Sequence, residues 1–140
     1  SNVDQLVGTW KWVSGQDVVE IKLQKVRHTV VNYDEDILLG THKYIQNGVE
    51  VQNSMAEYNN IQADHKKATV HIYNHNNSTT NFSGYLQDLT KSKLNELTLV
   101  FTTGNPPTLT WTLKTGEHVS IDPGFQYGLT LPAQIILVKQ

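Results

Sequence analysis

Residues 6–15 read LVGTWKWVSG, and two of the chain's three tryptophans, Trp10 and Trp12, stand two positions apart within them. In an extended chain successive side chains point to opposite faces, so residues two apart share a face. Trp10 and Trp12 therefore lie together, and Thr9, Lys11 and Val13 take the other side. A tight Ser14-Gly15-Gln16 turn follows, after which Val19, Ile21 and Leu23 alternate with Glu20, Lys22 and Gln24. Period two with one apolar face is the pattern of a half-buried antiparallel strand. The two segments are expected to pair as a hairpin.

Working outward, HKYIQNGVEVQNSM (residues 42–55) carries Asn47-Gly48, the preferred pair for a two-residue type I′ turn because both central residues need positive φ. That turn sets a register in which Gln46 opposes Val49, Tyr44 opposes Val51 and His42 opposes Asn53. One face then holds Gly40, His42, Tyr44, Val49, Val51, Asn53 and Met55 and is expected to point inward. Lys43, Ile45, Glu50, Gln52 and Ser54 form the expected wet face.

Further on, Ala68, Val70 and Ile72 alternate with Thr69, His71 and Tyr73, and Phe82 to Leu89 is a weaker strand. Leu97, Leu99 and Phe101 lead through TGNPP into Leu109, Trp111 and Leu113. The Gly-Asn-Pro-Pro run cannot continue a ladder, so it marks a loop. IDPGFQYGLTLPAQ reads as an irregular crossing, and Gln134 to Lys139 as a final strand. No repeat or linker divides residues 1–140, which are expected to form one domain. Eight or nine short antiparallel strands in an up-and-down meander must close or stack, because an open edge invites association. The all-β solution with fewest devices is a closed barrel; a two-sheet β-sandwich is the alternative. A Trp buries roughly 150–250 Å², which at about 25 cal/mol/Å² amounts to an upper bound on the order of 4–6 kcal/mol. In a barrel, Trp10 plugs one end and Trp12, nearer the middle, is core or a wall for a ligand.

Composition narrows the classes. Hydrophobic residues at 38% against 17% charged, with a net charge of −2, describe a folded chain rather than a disordered one. The eleven basic residues are scattered, Lys66-Lys67 being the densest pair, so no basic stripe for a nucleic acid is legible. There is no cysteine, hence no disulfide frame, Cys-based zinc site or thiol nucleophile. The longest aliphatic run, Ile135 to Val138, is far short of the ~20 residues that span a bilayer.

Gly8-Thr9-Trp10 resembles the G-x-W motif of the lipocalins and the wider calycin group, and VGTWKW is similar to the opening strand of fatty-acid-binding proteins. In those families the Trp closes the barrel floor and a basic side chain from the last strand covers the indole. The resemblance implies that Gly8, Trp10 and Lys139 make the closure here, since the one arginine, Arg27, is not on the final strand. The tight turn after Ser14 leaves no room for a helical lid or a long first loop. LVGTWKW, LLGTHKYIQNGVEVQNS, LTWTL and LPAQIILVKQ are similar to lipocalin-like domains of Bacteroidetes-type secreted proteins and lipoproteins. That likeness implies an extracytoplasmic setting and brings no activity with it.

Residues with chemistry of their own are sparse. His71 and His75 lie about 13 Å apart on a strand at ~3.3 Å rise, too far to share one ion. Asp64-His65 and NYDED (residues 32–36) lack the spacing of a calcium loop, and NYDED reads as a solvated turn. No G-x-S-x-G elbow frames a serine, and Asp88, Glu96 and Glu117 form no positioned acid–base pair. No metal, no cofactor and no enzymatic activity are expected. The expected function is that of a binding module for a small hydrophobic or amphipathic molecule held among Trp12, His42, Tyr44, Asn53 and Trp111. The alternative is a structural or protein-interaction domain with a filled core, working through the TGNPP or IDPGFQYG loops and the Phe125–Tyr127 pair.

Overall fold

The computed structural model describes residues 2–74, 77–116 and 123–140, apart from the Val30 side chain. Nine strands run in chain order: β1 (Gly8–Ser14), β2 (Asp17–Val30), β3 (Tyr33–Gln46), β4 (Val49–Asn53), β5 (Val70–Tyr73), β6 (Asn81–Asp88), β7 (Lys93–Thr102), β8 (Thr108–Thr115) and β9 (Gln134–Lys139). Each pairs antiparallel with its neighbours, and β9 returns to β1 through Trp10↔Lys139 and Lys11↔Val138. Eight strands thus close a ring, with β4 as the extra one, and the sandwich alternative falls because the sheet meets itself.

The extra strand has a simple origin. β2 occupies one edge of β3 from Val18↔Ile45 to Val30↔Tyr33. Both β4, at Lys43↔Asn53, and β5, at Gly40↔Val70, must then share the opposite edge. They are two halves of one barrel stave, interrupted where residues 54–69 leave the wall. That excursion contains 3₁₀ turns at Met55–Asn60 and His65–Lys67. It lays Ile61 and Ala68 over Val26, Ile37 and Leu39 on the outer side of β2 and β3.

NYDED is a solvated turn only at its start, where Asn32, Tyr33 and Asp34 are exposed. The turn is confined to Val31-Asn32, and Asp34 to Asp36 belong to β3. Val26 pairs with Ile37 under the excursion, and Arg27 bonds Asp36 across the strands at 3.1 Å. Inside the ring a second and larger cluster gathers Leu6, Trp10, Ile21, Leu23, Leu38, Phe82, Leu97, Leu99 and Trp111, all almost fully buried. The inward alternation of the strands puts them there.

The Asn47-Gly48 turn forms as expected, with φ of 53° and 79° and the pairs Gln46↔Val49 and Ile45↔Glu50. The register then slips: Tyr44 pairs with Gln52, and Lys43 with Asn53. Val51 is the extra residue of a β-bulge. The expected faces are corrected accordingly. Gln52 and Ser54 are buried, and Asn53 is exposed.

Candidate functional site

Up-and-down connectivity puts the β1–β2, β3–β4, β6–β7 and β8–β9 connections at one end, here called the mouth. The Gly48 amide donates to Gln16 O at 3.1 Å and the Asn47 amide to the Asp17 carboxylate at 2.8 Å, so the first two turns lean on each other. The opposite end holds Gly8, Trp10 and Lys139. There the Trp10 indole N–H donates to Leu6 O at 2.9 Å, and the Lys139 ammonium lies 4.7 Å over the indole ring while donating to Val7 O. Gly8 has φ +122°, and a Cβ there would stand 2.8 Å from Lys139 Nζ, so a larger residue would evict the lysine. Burial holds the Lys139 amine below the usual lysine pKa. Phe101 meets the Trp10 ring edge-on at 6.3 Å.

The five residues that sequence reading grouped as a ligand site are placed differently from one another. Trp12 is half-buried and packs against the inner core. Tyr44 is buried in that core; burial first, and then the Asp17 charge, raises its hydroxyl pKa. Trp111 is fully buried, and its indole N–H donates to Pro132 O at 2.9 Å. His42 is fully buried with both ring nitrogens engaged. Asn53 faces away from the interior, bonding Glu50 and the Met55 amide.

His42 belongs to a polar chain that the sequence reading did not assemble. The Gln52 amide accepts from the Leu89 N–H at 3.1 Å through Oε1, and donates to Asp88 Oδ1 at 3.2 Å and Thr90 Oγ1 at 3.1 Å through Nε2. With Oε1 an acceptor, His42 Nε2, 2.6 Å away, is the donor. The neutral ring then accepts at Nδ1 from the Thr69 hydroxyl at 2.7 Å, and Thr69 in turn accepts from Ser54 at 2.8 Å. Burial keeps His42 below its ordinary pKa, against the pull of Gln52 and Asp88. Because β4 and β6 share no ladder here, the Gln52 side chain stands in for a peptide group and stitches the seam between them.

Asp88 is the anchor of that seam, with 0% of its surface exposed. Besides Gln52, its carboxylate accepts from the amides of Thr90 and Lys91, each at 3.0 Å, and of Thr130 at 3.2 Å. Burial by itself would raise its pKa. Hydrogen bonds from Thr130, Lys91 and Gln52 outweigh it and hold the carboxyl below the ordinary value. One carboxylate so ties β4, the β6–β7 turn and the segment that crosses to β9.

Asn95 is the remaining inward polar residue. On β7 it alternates with Leu97, Leu99 and Phe101, pairs laterally with Leu86 and Thr115, and is 0% exposed. Among the described residues neither its Nδ2 nor its Oδ1 has a hydrogen-bond partner. Buried amides nearly always find one. The signal was available in the sequence: Leu97-Leu99-Phe101 extended backward by two puts Asn95 inside.

At the rim, Phe125 and Tyr127 meet edge-on at 5.1 Å, Phe125 half-buried and Tyr127 74% exposed. Outside the barrel, a groove of about 440 Å³ crosses β5–β7 between Tyr73, Tyr85 and Glu96. Gly84 forms its floor because a Cβ there would stand 1.7 Å from His71 O on the adjacent strand. A second groove of about 580 Å³ flanks Arg27 and Asp34 at the closed end. Among the described residues no three His, Asp or Glu side chains converge as metal ligands, and no helix is long and apolar enough to cross a membrane. His75, Glu117 and the Ile121-Asp122 start of the crossing segment lie outside the described residues.

Residues 1–140 match the model of one protein family, described as a family of unknown function, DUF6705. No curated protein and no solved structure matches the chain.

Proposed function

The chain belongs to the DUF6705 family, and from that premise we propose that its barrel is a binding module for a small, partly apolar molecule received at the mouth. Trp12 and Tyr44 would flank the molecule, Trp111 would underlie it, and Asn95 would hold its polar end. The observation that carries this reading is Asn95, a fully buried amide aimed inward with both polar atoms unpartnered. Leaving such a group unsatisfied costs about 1–3 kcal/mol, a cost that a ligand would relieve. Pockets of this class combine aromatic walls with a few convergent polar groups. His42 and Gln52 support the wall, since their polar atoms are already engaged. The likeness of LVGTWKW and LPAQIILVKQ to lipocalin-like secreted domains supports an extracytoplasmic setting.

Native mass spectrometry after incubation with a lipid and metabolite extract tests the reading. A retained small molecule in the wild type, lost in Asn95→Leu, is expected. A folded wild type that retains nothing overturns it in favour of a second reading, a protein-interaction domain. That reading rests on the exposed Tyr127 ring beside Phe125 at the rim.

A further inference from the structure

We infer that the polar end of the molecule taken by the barrel is an uncharged group carrying a donor beside an acceptor, such as a primary carboxamide or a lactam. The inference rests on the binding reading above and deepens it. Two independent observations carry it, one from hydrogen bonding and one from charge.

The first is the open valence of Asn95. Its carboxamide offers an N–H donor and a carbonyl acceptor side by side, both without partners. A second amide satisfies both at once. A carboxylate answers Nδ2 but turns lone pairs toward Oδ1, and an ammonium answers Oδ1 but leaves Nδ2 without an acceptor. A hydroxyl has one proton and answers both only with a strained geometry.

The second is the distribution of charge. Asp88 projects from the same face of β6 as Leu86, the lateral partner of Asn95, so the two side chains are diagonal neighbours. Asp88 is held ionised by neutral donors, and among the described residues no Lys or Arg forms an ion pair with it. A second carboxylate beside Asn95 would meet that charge at short range in a poorly solvated interior. An ammonium would have to compete for Asp88 with four donors already in place, three on Oδ1 and one on Oδ2.

Four of the cations are engaged away from Asn95, and Lys91 stands half-buried in the β6–β7 turn next to Asp88. All eleven Lys and Arg residues lie in the described segments, and residues 117–122, EHVSID, contain none. Lys139 is at the closed end over Trp10, and Lys25 and Arg27 pair with Asp4 and Asp36 there. Lys93 shares the Asn95 face of β7, and its ammonium is turned onto the Phe125 ring at 5.5 Å. A carboxylate beside Asn95 would have to recruit Lys93 away from the Phe125 ring.

Four probes with one tail isolate the head group: octanamide, octanoate, octylamine and octan-1-ol, titrated calorimetrically at pH 7.5 into wild type, Asn95→Leu, Asn95→Asp and Lys93→Gln. Octanamide is expected to bind at least about tenfold more tightly than octanoate or octylamine, with octan-1-ol between. Asn95→Leu should narrow that spread to within about threefold, and Asn95→Asp should turn the order toward octylamine. Thermal melts establish that each variant is folded. Octanoate binding as tightly as octanamide, or losing its affinity in Lys93→Gln, overturns the head-group inference and leaves the binding reading standing. An amide preference that survives Asn95→Leu overturns it too. Failure of all four probes to bind folded wild type, with no species retained from the extract, defeats both.

Discussion

At the closed end of the barrel the Trp10 indole donates to Leu6 O, the Lys139 ammonium covers the ring while donating to Val7 O, and Phe101 meets its edge. At the mouth the buried polar groups fall into two kinds. Those of His42, Gln52 and Asp88 are bonded into one chain, and both polar atoms of Asn95, with the Thr130 hydroxyl, have no hydrogen-bond partner among the described residues. The closed end is built as a core would be, with an aromatic plug and a satisfied polar tip. The mouth carries an expensive wall and, beside it, an amide that destabilises the empty barrel. Sites kept at a cost to the fold are where function tends to reside, and this difference between the two ends motivates the assignment of the mouth as the binding site.

The comparison is broken most directly at Trp10. Trp10→Ala is expected to cost about 3–5 kcal/mol in a denaturant titration, since it removes the largest buried side chain at its end of the barrel. A loss under about 1 kcal/mol would mean that the closed end does not bear the fold. Asp88→Ala comes next, at about 2–4 kcal/mol near neutral pH, because it removes one of the two acceptors of Gln52 Nε2 and the acceptor of the Thr90, Lys91 and Thr130 amides. The sign with pH follows from its depressed folded pKa. The stabilisation is present above the unfolded value of about 3.8 and is lost as pH falls through the folded one. The variant should therefore lack that acid limb. A limb unchanged in Asp88→Ala would assign it to other carboxylates.

The closed end was legible because it depends on neighbours in sequence and on strand alternation. LVGTWKW declares its face; at the mouth the Asn47-Gly48 turn is equally plain, and it forms with both positive φ values. The mouth was less legible, for particular reasons. One bulge at Val51 exchanges Gln52 for Asn53 on the inner side, and nothing in EVQNS announces it. The excursion of residues 54–69 splits a stave in two and brings Ser54 and Thr69, far apart in sequence, to the same histidine. Asp88 read as one carboxylate among several with no positioned partner, because its partners come from β4, its own turn and the crossing segment. Asn95 was hidden by its setting: KSKLNE reads as a polar turn, although the turn ends at Ser92 and β7 starts at Lys93. Long-range pairing decides the positions of Gln52, Ser54, Thr69 and Asp88, and a single sequence does not display it; Asn95 needed only the β7 alternation carried back two residues.

The next test sharpens the account of the bonded half of the mouth. His42 is buried neutral with a folded pKa below its unfolded value near 6.5. The unfolded chain takes up the proton first, so stability is full above that pH and declines as pH falls toward the folded value. For one group the slope cannot exceed about 1.4 kcal/mol per pH unit. His42→Gln should flatten this limb in melts recorded between pH 7 and 5, leaving the part due to His71, which burial shifts in the same direction. An undiminished limb would place the titration elsewhere and reopen the tautomer assigned to His42.

The smallest effect has the opposite sign, and for that reason it discriminates best. Asn95→Leu replaces two buried unpartnered polar atoms with an apolar side chain of the same branching and somewhat larger volume, between Leu86 on β6 and Leu97 on β7. Released from that desolvation cost, the variant is expected to gain about 1 kcal/mol in the absence of any added molecule. A residue retained for packing would lose stability on the same change, as Trp10 does. The gain must coincide with loss of retained ligand: a more stable barrel that binds nothing is what a functional amide predicts. A loss of stability would instead mean that the Asn95 amide is satisfied within the folded chain, and the contrast between the two ends would vanish.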